Sequence, residues 1–428
     1  METDIAAARR DTIRRFERVR STTDAITSRL SDEDQVPQSM PDASPTKWHR
    51  AHTTWFFEEF VLAPHDPGYQ RCDDRYAYLF NSYYEAVGAR HPRAERGLQT
   101  RPTCNDVAAF RAHVDTAIVG LCEHTDDETF AAIATLIELG LHHEQQHQEL
   151  ALMDVKHLFS RNPGGNPHYR EGGPVRRDLA TPPLGWVDIA GGLVDIGHDP
   201  THGFAFDNEN PRHTVLVDRF RIANRLTTAG EYAEFIADGG YDRPELWLSD
   251  GWFTAQREHW SAPLYWDRSD EGWTTLTFDG RRPVLDAEPV VHVSHYEADA
   301  FARWAGARLA TEFEWEAAAA GLATVGNLLD DIGTDPLHPC PADVHDPGLR
   351  QMFGDAWEWT ASAYLPYPRF RIAPGAVGEY NGKFMSGQMV LRGGSAVTPT
   401  GHIRSTYRNF FAPHCRWMFS GIRLAGDA

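Results

Sequence analysis

Two histidines, His143 and His147, stand four residues apart in the segment 141–149, which reads LHHEQQHQE. On a helix, residues four apart share one face. The same face carries Gly140 and Leu150, so it is expected to point into an apolar interior. Two imidazoles side by side in a core each need a hydrogen-bond partner or a shared cation, and this pair favours the cation.

A third histidine, His52, lies on a second apolar stripe with Trp48, Trp55 and Phe56. If both stripes belong to one helical bundle, three imidazoles converge in its core, where bundles build metal sites. A core histidine with a single hydrogen-bond partner is the alternative for His52. Imidazoles without a thiolate suit iron, copper, zinc or nickel, and the spacing does not choose among them. We expect three other histidines to lie at the surface: His49, His124 and His142.

The string from His143 to His147 also matches the HExxH motif of zinc peptidases. In that reading, Glu144 is the general base beside a zinc ion. No glutamate or histidine in the following stretch stands in a usual context for a third zinc ligand. The second half of the chain would also have no role, so a zinc-dependent hydrolase is the weaker alternative.

The elements that must position these histidines are helices. Apolar periodicity and capping residues predict helices over residues 5–30, from Ser44 (N-cap) and Pro45 onward, over 105–124 and over 127–158. Four long helices indicate an antiparallel bundle, which we assign to residues 1–160.

The amino-acid composition changes after the predicted bundle. Residues 161–183 are rich in glycine and proline and predict a linker. Over residues 184–428, short alternating apolar runs alternate with glycines and prolines, and helices are predicted at 297–305 and 312–320. The predicted fold class is therefore α+β with two domains.

Composition excludes several functions. The 428 residues carry a net charge of −20 with no basic tract, which argues against binding to nucleic acid or an anionic membrane. No apolar run is long enough to span a membrane. Five scattered cysteines without a CxxC pair favour neither a disulfide framework nor a thiolate zinc site. We therefore expect a cytoplasmic protein.

The pattern His143-x-x-x-His147-x-Glu149, preceded by Trp48-x-x-x-His52, resembles the three-histidine iron site of the ergothioneine and ovothiol sulfoxide synthases. In that family the helical bundle is DinB-like. The resemblance implies Fe(II) as cofactor, with His52, His143 and His147 as its ligands. It further implies that Glu149 orients an imidazole, and that Gln146 lies near an imidazole substrate.

The second domain resembles the formylglycine-generating enzymes, a variant of the C-type lectin architecture. The resemblance is carried by six strings at residues 209–213, 291–294, 306–316, 354–359, 391–395 and 421–423. We expect most of these residues to be structural. The formylglycine enzymes bind copper through a cysteine pair, whereas the corresponding stretch here, residues 404–409, has no cysteine. Their chemistry is therefore not expected.

The resemblance also implies substrates. Sulfoxide synthases that use γ-glutamylcysteine carry Asn-Trp-Asp where this chain has Asn409, Phe410 and Phe411, and a phenylalanine cannot bind the glutamyl ammonium. Free cysteine is therefore the expected thiol, with dioxygen as oxidant. The string at residues 80–85 resembles the cysteine-using branch, whose adjacent active-site tyrosines correspond to Tyr83 and Tyr84. One of them would supply a proton or hydrogen atom.

The second substrate would be hercynine, a histidine with a trimethylated amine. A quaternary ammonium is best held by aromatic faces and neutral oxygens. The candidates for such a pocket are Asn409, Phe410, Tyr364 and Tyr367. The carboxylate of cysteine needs a cation. Five arginines are candidates for it: Arg90, Arg93, Arg404, Arg408 and Arg416.

Two other functions remain beside the zinc hydrolase. An ovothiol-type synthase would use unmethylated histidine, but such enzymes usually carry an appended methyltransferase, and this sequence ends at Ala428. A lectin-like binding module on a helical bundle would hold no metal. We expect the hercynine sulfoxide synthase.

Overall fold

A computed structural model describes residues 2–84, 87–170, 180–345, 348–372 and 381–428. The described chain divides into two compact units, one ending at Tyr169 and the other comprising Arg170–Ile372 and Asn381–Ala428. Of the predicted linker, residues 171–179 lie outside the described residues, as does Glu85. Within the described part of the chain, no helix combines the length and apolarity that crossing a membrane requires.

The first unit is helical. Its helices are α1 (Glu2–Thr27), α2 (Thr46–Phe57), α3 (Ala63–His65), α4 (Tyr76–Phe80), α5 (Cys104–His124) and α6 (Asp127–Ser160), with a π-helical turn at Glu58–Leu62 and a 3₁₀ turn at Arg93–Leu98. The four long helices are the four that the sequence predicts, and helix α1 packs on α6 while α2 packs on both α5 and α6. The predicted bundle is confirmed.

Local sequence explains where these helices begin. The hydroxyl of Thr103 accepts a hydrogen bond from the backbone N–H of Asp106 at the start of α5, and Asp126 does the same for Thr129 in α6. At α2 the N-cap is Pro45 and not the predicted Ser44. The backbone N–H of Ser44 instead donates to the Asp154 carboxylate of α6, 2.8 Å away. That contact joins the first turn of α2 to α6.

A glycine allows α2 and α6 to approach closely. A Cβ atom on Gly140 would lie 2.5 Å from Cε1 of Phe57, which is closer than carbon atoms can pack. Phe57 is fully buried in the core, together with Trp55, Phe16 and Ile137. The close approach brings His52 of α2 opposite the histidines of α6.

The second unit mixes short helices with small sheets. Its strands are β1 (Trp186–Ile189), β2 (Gly192–Ile196), β3 (His213–Val217), β4 (Phe220–Ala223), β5 (Trp266–Ser269), β6 (Gly272–Thr277), β7 (Gly280–Pro283), β8 (Arg308–Leu309), β9 (Trp357–Ala363), β10 (Met389–Arg392), β11 (Asn409–Phe411), β12 (Ser420–Gly421) and β13 (Leu424–Asp427). They form sheets in the orders β1-β4-β13-β8, β11-β10-β9-β12, β2-β3 and β5-β6-β7. The helices are α7 (Ala229–Ala237), α8 (Ser249–Arg257), α9 (His295–Trp304) and α10 (Glu312–Ala319).

The motif strings of this unit pair with one another. Arg423 donates to both carboxylate oxygens of Glu358, which also accepts from the indole N–H of Trp315 at 2.6 Å. Arg392 donates to Glu312 and Glu316 of α10. All of these side chains are buried. These contacts fit the structural role expected of the strings, because charged side chains are buried only when paired.

Candidate metal centre

Three histidines converge in the core of the first unit. His52 of α2 and His143 and His147 of α6 each present a nitrogen, and these atoms lie within 4.8 Å of one another. All three residues are buried, with exposed fractions of 1%, 2% and 8%. The Nε2 atoms of His52 and His143 are 3.2 Å apart. The predicted convergence of the three imidazoles is therefore found.

This spacing fits a single metal ion. Two nitrogens bound at about 2.1 Å and about 90° apart around one ion lie about 3.0 Å from each other. The Nδ1 of His52 is 2.5 Å from the carbonyl oxygen of Phe80. Since a carbonyl only accepts hydrogen bonds, the proton of His52 lies on Nδ1 and the lone pair of Nε2 faces His143. A lone pair directed at a neighbouring imidazole suits a cation.

The three imidazoles are neutral near neutral pH. Burial lowers the pKa of His143 to about 4. Burial, followed by the mutual repulsion of the histidines, holds the pKa values of His52 and His147 well below the ordinary value. A neutral imidazole is the form that binds metals. Here the low pKa values mean that no proton must be removed before binding.

Aromatic rings enclose the site. Trp48 and Trp55 both stack on the ring of His52, with centroid distances of 4.5 Å and 5.6 Å. Phe56 packs against His143 at 5.0 Å. These contacts fix the ring orientations and keep the surroundings apolar, which strengthens electrostatic interactions at the site.

Glu144, the expected base of the zinc-peptidase alternative, is fully buried and engaged elsewhere. Its carboxylate accepts hydrogen bonds from Arg20 at 2.7 Å, Thr23 at 2.6 Å and Arg111 at 3.2 Å. A carboxylate bound by two guanidinium groups is a poor base. The geometry therefore opposes the peptidase reading.

His49 was predicted to lie at the surface, and this prediction is wrong. It is 5% exposed, its Nδ1 lies 2.8 Å from Nδ1 of His147, and its Nε2 lies 3.1 Å from Oδ2 of Asp154. Burial lowers the pKa of His49 although Asp154 opposes the shift. His142 is likewise buried, while His124 is exposed as predicted.

A signal for this contact was present in the sequence. His49 precedes His52 by three residues and Asp154 follows His147 by seven, so each pair shares a helix face. Only the packing of α2 on α6 shows that His49 and Asp154 meet.

Arg96 was also missed by the sequence reasoning. It is 4% exposed, and its guanidinium carbon lies 3.3 Å from the ring centroid of Trp48. It donates to the hydroxyls of Ser44 at 2.9 Å and Ser82 at 3.2 Å. Within the described residues it forms no ion pair with a carboxylate, and its Nε has no partner. Burial lowers the pKa of Arg96 to about 9.

The other candidates of the first unit differ in burial. Tyr84 is buried and packs on Trp55 at 5.7 Å, whereas Tyr83 is half-buried and its hydroxyl accepts a hydrogen bond from Arg93 at 3.1 Å. Arg93 is itself exposed. Three further candidates are Arg90, which is exposed, Gln146, which is half-buried on α6, and Glu149, which is buried on α6. Their substrate and positioning roles stay predictions.

The predicted aromatic pocket residues cluster in the second unit. Phe410 stacks on Tyr364 at 4.1 Å, and Arg408 lies 4.1 Å from the ring centroid of Tyr367. Tyr364 and Tyr367 are 0% and 3% exposed. Phe411, on the same strand, packs against Trp417. The side chain of Asn409 accepts from the N–H of Phe410. Their assignment to a hercynine pocket stays a prediction.

The three candidate arginines of this unit each contact a carboxylate. Arg404 contacts Glu209, Arg408 contacts Glu312 at 2.8 Å, and Arg416 contacts Glu297 at 2.9 Å. Buried ion pairs of this kind are usually structural. This geometry makes the three less suited to a substrate carboxylate than Arg96.

The two units match two known families. Residues 15–151 match the DinB superfamily. Residues 175–331 and 332–428 match the sulfatase-modifying factor enzyme 1-like domain. Both expected fold families are confirmed.

Two relatives align with almost the whole chain. The hercynine oxygenase of Mycolicibacterium smegmatis is 33% identical over 434 residues, covering 93% of this chain and 94% of its own length. That of Mycobacterium tuberculosis is 33% identical over 443 residues, covering 94% and 96%. The formylglycine-generating enzyme of Streptomyces coelicolor is 29% identical over 315 residues and covers only 60% of this chain. Because the hercynine oxygenases align across both units, the chain belongs to the hercynine oxygenase family of metal-dependent oxygenases.

Proposed function

We propose that this enzyme joins the sulfur of cysteine to the imidazole ring of hercynine and oxidises that sulfur to a sulfoxide, a step of ergothioneine biosynthesis. Fe(II) is held by His52, His143 and His147, and dioxygen is the oxidant. The observation that carries the proposal is the set of three buried, converging histidines in a chain 33% identical to hercynine oxygenases over almost its whole length.

The ligand set suits this chemistry. When bound, Fe(II) would activate dioxygen beside a cysteine thiolate and the hercynine imidazole. Three neutral imidazoles leave the positive charge of the ion uncompensated, which favours an anionic thiolate as an additional ligand. The aromatic rings of Trp48, Trp55 and Phe56 around the histidines exclude water.

Free cysteine is the favoured thiol donor. The expected position for an aspartate that binds a glutamyl ammonium is held by Phe411, on β11. Phe411 packs edge to face on Trp417 at 5.7 Å, so the position is apolar. An apolar position gives no charge partner to the extra ammonium of γ-glutamylcysteine.

Arg96 is the favoured partner of the cysteine carboxylate. A buried guanidinium without a carboxylate is costly, and a bound carboxylate relieves that cost. Arg96 contacts Trp48, and Trp48 stacks on the metal-ligating His52. The side chains of Trp48 and His52 therefore lie between the guanidinium of Arg96 and the proposed metal centre.

Replacing Arg96 by methionine is expected to raise KM for cysteine by about 10- to 100-fold, because a charge-assisted hydrogen bond contributes about 1.5–3 kcal/mol. KM for hercynine should change much less. Steady-state kinetics with each substrate varied in turn measures the effect. Arg75→Met is the matched control, since Arg75 is exposed and its ion-pair partner within the described residues is its sequence neighbour Asp73. Equal KM values for cysteine in Arg96→Met and the unaltered enzyme would contradict the role.

Tyr83 is the favoured proton donor of the tyrosine pair. Its hydroxyl accepts a hydrogen bond from Arg93, and this nearby cation stabilises the phenolate that forms when the proton leaves. Tyr84 is packed between the rings of Trp55 and Phe60. That packing suits a residue that shapes the pocket.

Tyr83→Phe is expected to shift the products from the sulfoxide toward cysteine sulfinate, because the protonation that accompanies carbon–sulfur bond formation is lost. General acid catalysis contributes about 10²- to 10⁴-fold, so sulfoxide formation should fall by at least about 100-fold. Tyr84→Phe should have the smaller effect. Product ratios by mass spectrometry decide the assignment. Unchanged sulfoxide in both variants would remove the tyrosines from the mechanism.

The test of the proposed function is an aerobic incubation of Fe(II)-loaded enzyme with hercynine and cysteine, followed by mass spectrometry. Hercynylcysteine sulfoxide is the expected product. Parallel reactions replace cysteine by γ-glutamylcysteine and hercynine by histidine, and both should be slower. Oxidised cysteine as the sole product would leave the metal site standing but refute hercynine as the acceptor.

A further inference from the structure

A buried series of polar groups leads from His147 through His49 to Asp154. Nδ1 of His147 lies 2.8 Å from Nδ1 of His49, and Nε2 of His49 lies 3.1 Å from Oδ2 of Asp154. The same Oδ2 accepts from the backbone N–H of Ser44 at 2.8 Å. His49 and Asp154 are each 5% exposed.

The contacts of Asp154 determine where the protons lie along this series of hydrogen bonds. The Oδ2 atom of Asp154 already accepts one N–H, as an ionised carboxylate does, so Nε2 of His49 must be the donor in their contact. A neutral His49 then has its lone pair on Nδ1. That lone pair must accept from Nδ1 of His147, which places the proton of His147 on Nδ1.

His147 consequently presents the lone pair of Nε2 to the site. This lone pair is directed toward the metal centre together with that of His52, whose proton the Phe80 carbonyl holds on Nδ1. The opposite tautomer of His49 would place a proton on Nε2 of His147, where it blocks metal binding. It would also set a lone pair of His49 against the carboxylate.

We propose that His49 and Asp154 are positioning residues that hold His147 in its metal-binding tautomer, through the hydrogen-bonded series Asp154–His49–His147. This proposal rests on the three-histidine metal site proposed above. A carboxylate behind a ligating imidazole orients the ring and makes the ligand more basic. The imidazole of His49, which α2 contributes, transmits both effects between Asp154 and His147, which lie about two turns apart on α6.

The series also links the metal site to Arg96. The hydroxyl of Ser44 accepts from Arg96, and the backbone N–H of Ser44 donates to Asp154. Ser44, the residue that precedes the N-cap of α2, therefore contacts both Arg96 and Asp154. A shift of that first turn would therefore move a metal ligand and the buried cation together.

The test is a titration of the metal-free protein with Co(II), followed by its d–d absorption. His49→Phe removes both hydrogen bonds and should weaken Co(II) binding by about 10- to 100-fold with a changed spectrum. His49→Asn keeps an acceptor for His147 and should recover part of the affinity. Asp154→Asn keeps an oxygen acceptor without the charge and should give an intermediate loss. The control His124→Phe, at an exposed position, should match the unaltered protein.

Three outcomes overturn the proposal. If His49→Phe and Asp154→Asn bind Co(II) with unaltered affinity and spectrum, the series has no positioning role although the metal site stands. If the unaltered protein binds no Co(II), or if the His143→Ala variant binds Co(II) with the same affinity, the proposed metal site is wrong. The positioning role of His49 and Asp154 is then refuted as well. A proton on Nδ1 of His49 is the third such outcome.

The positions of the imidazole protons can be measured in the unaltered protein. The proposal therefore stays testable even if a variant fails to fold. Two-bond ¹H–¹⁵N correlations of the ¹⁵N-histidine protein, loaded with diamagnetic Zn(II), report the tautomer of each imidazole. His147 should be protonated at Nδ1 and His49 at Nε2. The His49→Asn spectrum assigns the His49 signals by their loss.

Discussion

Replacing His143 by alanine is expected to abolish stoichiometric iron binding and to lower sulfoxide formation by more than about 100-fold. Loss of a contact behind a metal ligand already costs about 10- to 100-fold in affinity, and loss of the ligand itself must cost more. The lone pair of Nε2 of His52 would then lack the neighbour that lies 3.2 Å away. Metal analysis after dialysis, followed by single-turnover product analysis, measures both effects.

The same variant separates metal binding from folding. Since a bound ion stabilises only the folded state, Fe(II) should raise the Tm of the unaltered protein but not that of His143→Ala. His124→Ala, at an exposed position of α5, should keep the full metal content and the full shift. A His143→Ala protein that retains one iron per chain would refute the three-histidine site.

Replacing Glu144 by glutamine is expected to destabilise the folded protein by about 3–5 kcal/mol, because it breaks a buried ion pair and leaves two arginines uncompensated. Arg20 and Arg111, both with 3% side-chain exposure, contact the fully buried Glu144 from α1 and α5. The variant therefore loosens three helices at once. Chemical denaturation followed by the helical signal measures the free energy of unfolding.

A matched control lies on the same helix. Glu138 pairs with Arg15 at 2.9 Å, but both side chains are at least one third exposed. Glu138→Gln should therefore change stability by less than about 1 kcal/mol. If the two variants unfold alike, the buried network does not stabilise the bundle. If Glu144→Gln folds normally but loses all activity, the peptidase reading regains support.

The difference in the free energy of unfolding between the unaltered protein and Glu144→Gln should depend on pH. Burial raises the pKa of Glu144, but Arg20 and Arg111 lower it further, and the pKa lies below its ordinary value. A depressed pKa contributes stability above the unfolded-state pKa, which is about 4.3. The gap between the unaltered protein and Glu144→Gln should therefore be full at pH 7 and shrink as the pH falls below about 4. A gap that widens in acid would contradict this assignment.

The fold family of the second unit does not decide the chemistry. Its arginines Arg392, Arg408 and Arg423 form buried ion pairs with glutamates of α10 and β9. The residues that carry the proposed metal chemistry lie instead in the helical unit. The formylglycine-generating enzyme of Streptomyces coelicolor covers 60% of this chain, whereas the hercynine oxygenase of Mycolicibacterium smegmatis covers 93%.

Much of the helical unit was determined by local sequence. Helices α5 and α6 begin where Thr103 and Asp126 cap them, because a cap acts within one turn. The helical period also placed His143 and His147 on one face of α6, since residues four apart always share a face. The convergence of the three histidines was therefore predictable as soon as His52 was placed on an inward face.

Tertiary structure alone decided which polar groups meet. His49 and Asp154 are separated by 105 positions, and Arg404 and Glu209 by 195. Periodicity reports which face a residue occupies but not which element covers that face, so His49 was expected at the surface. Arg96 follows no α-helical stripe, and its burial depends on the packing of its 3₁₀ turn against Trp48. The sequence therefore determined the three histidines that are proposed as metal ligands, while the packing of α2 on α6 decided which residues contact them from behind.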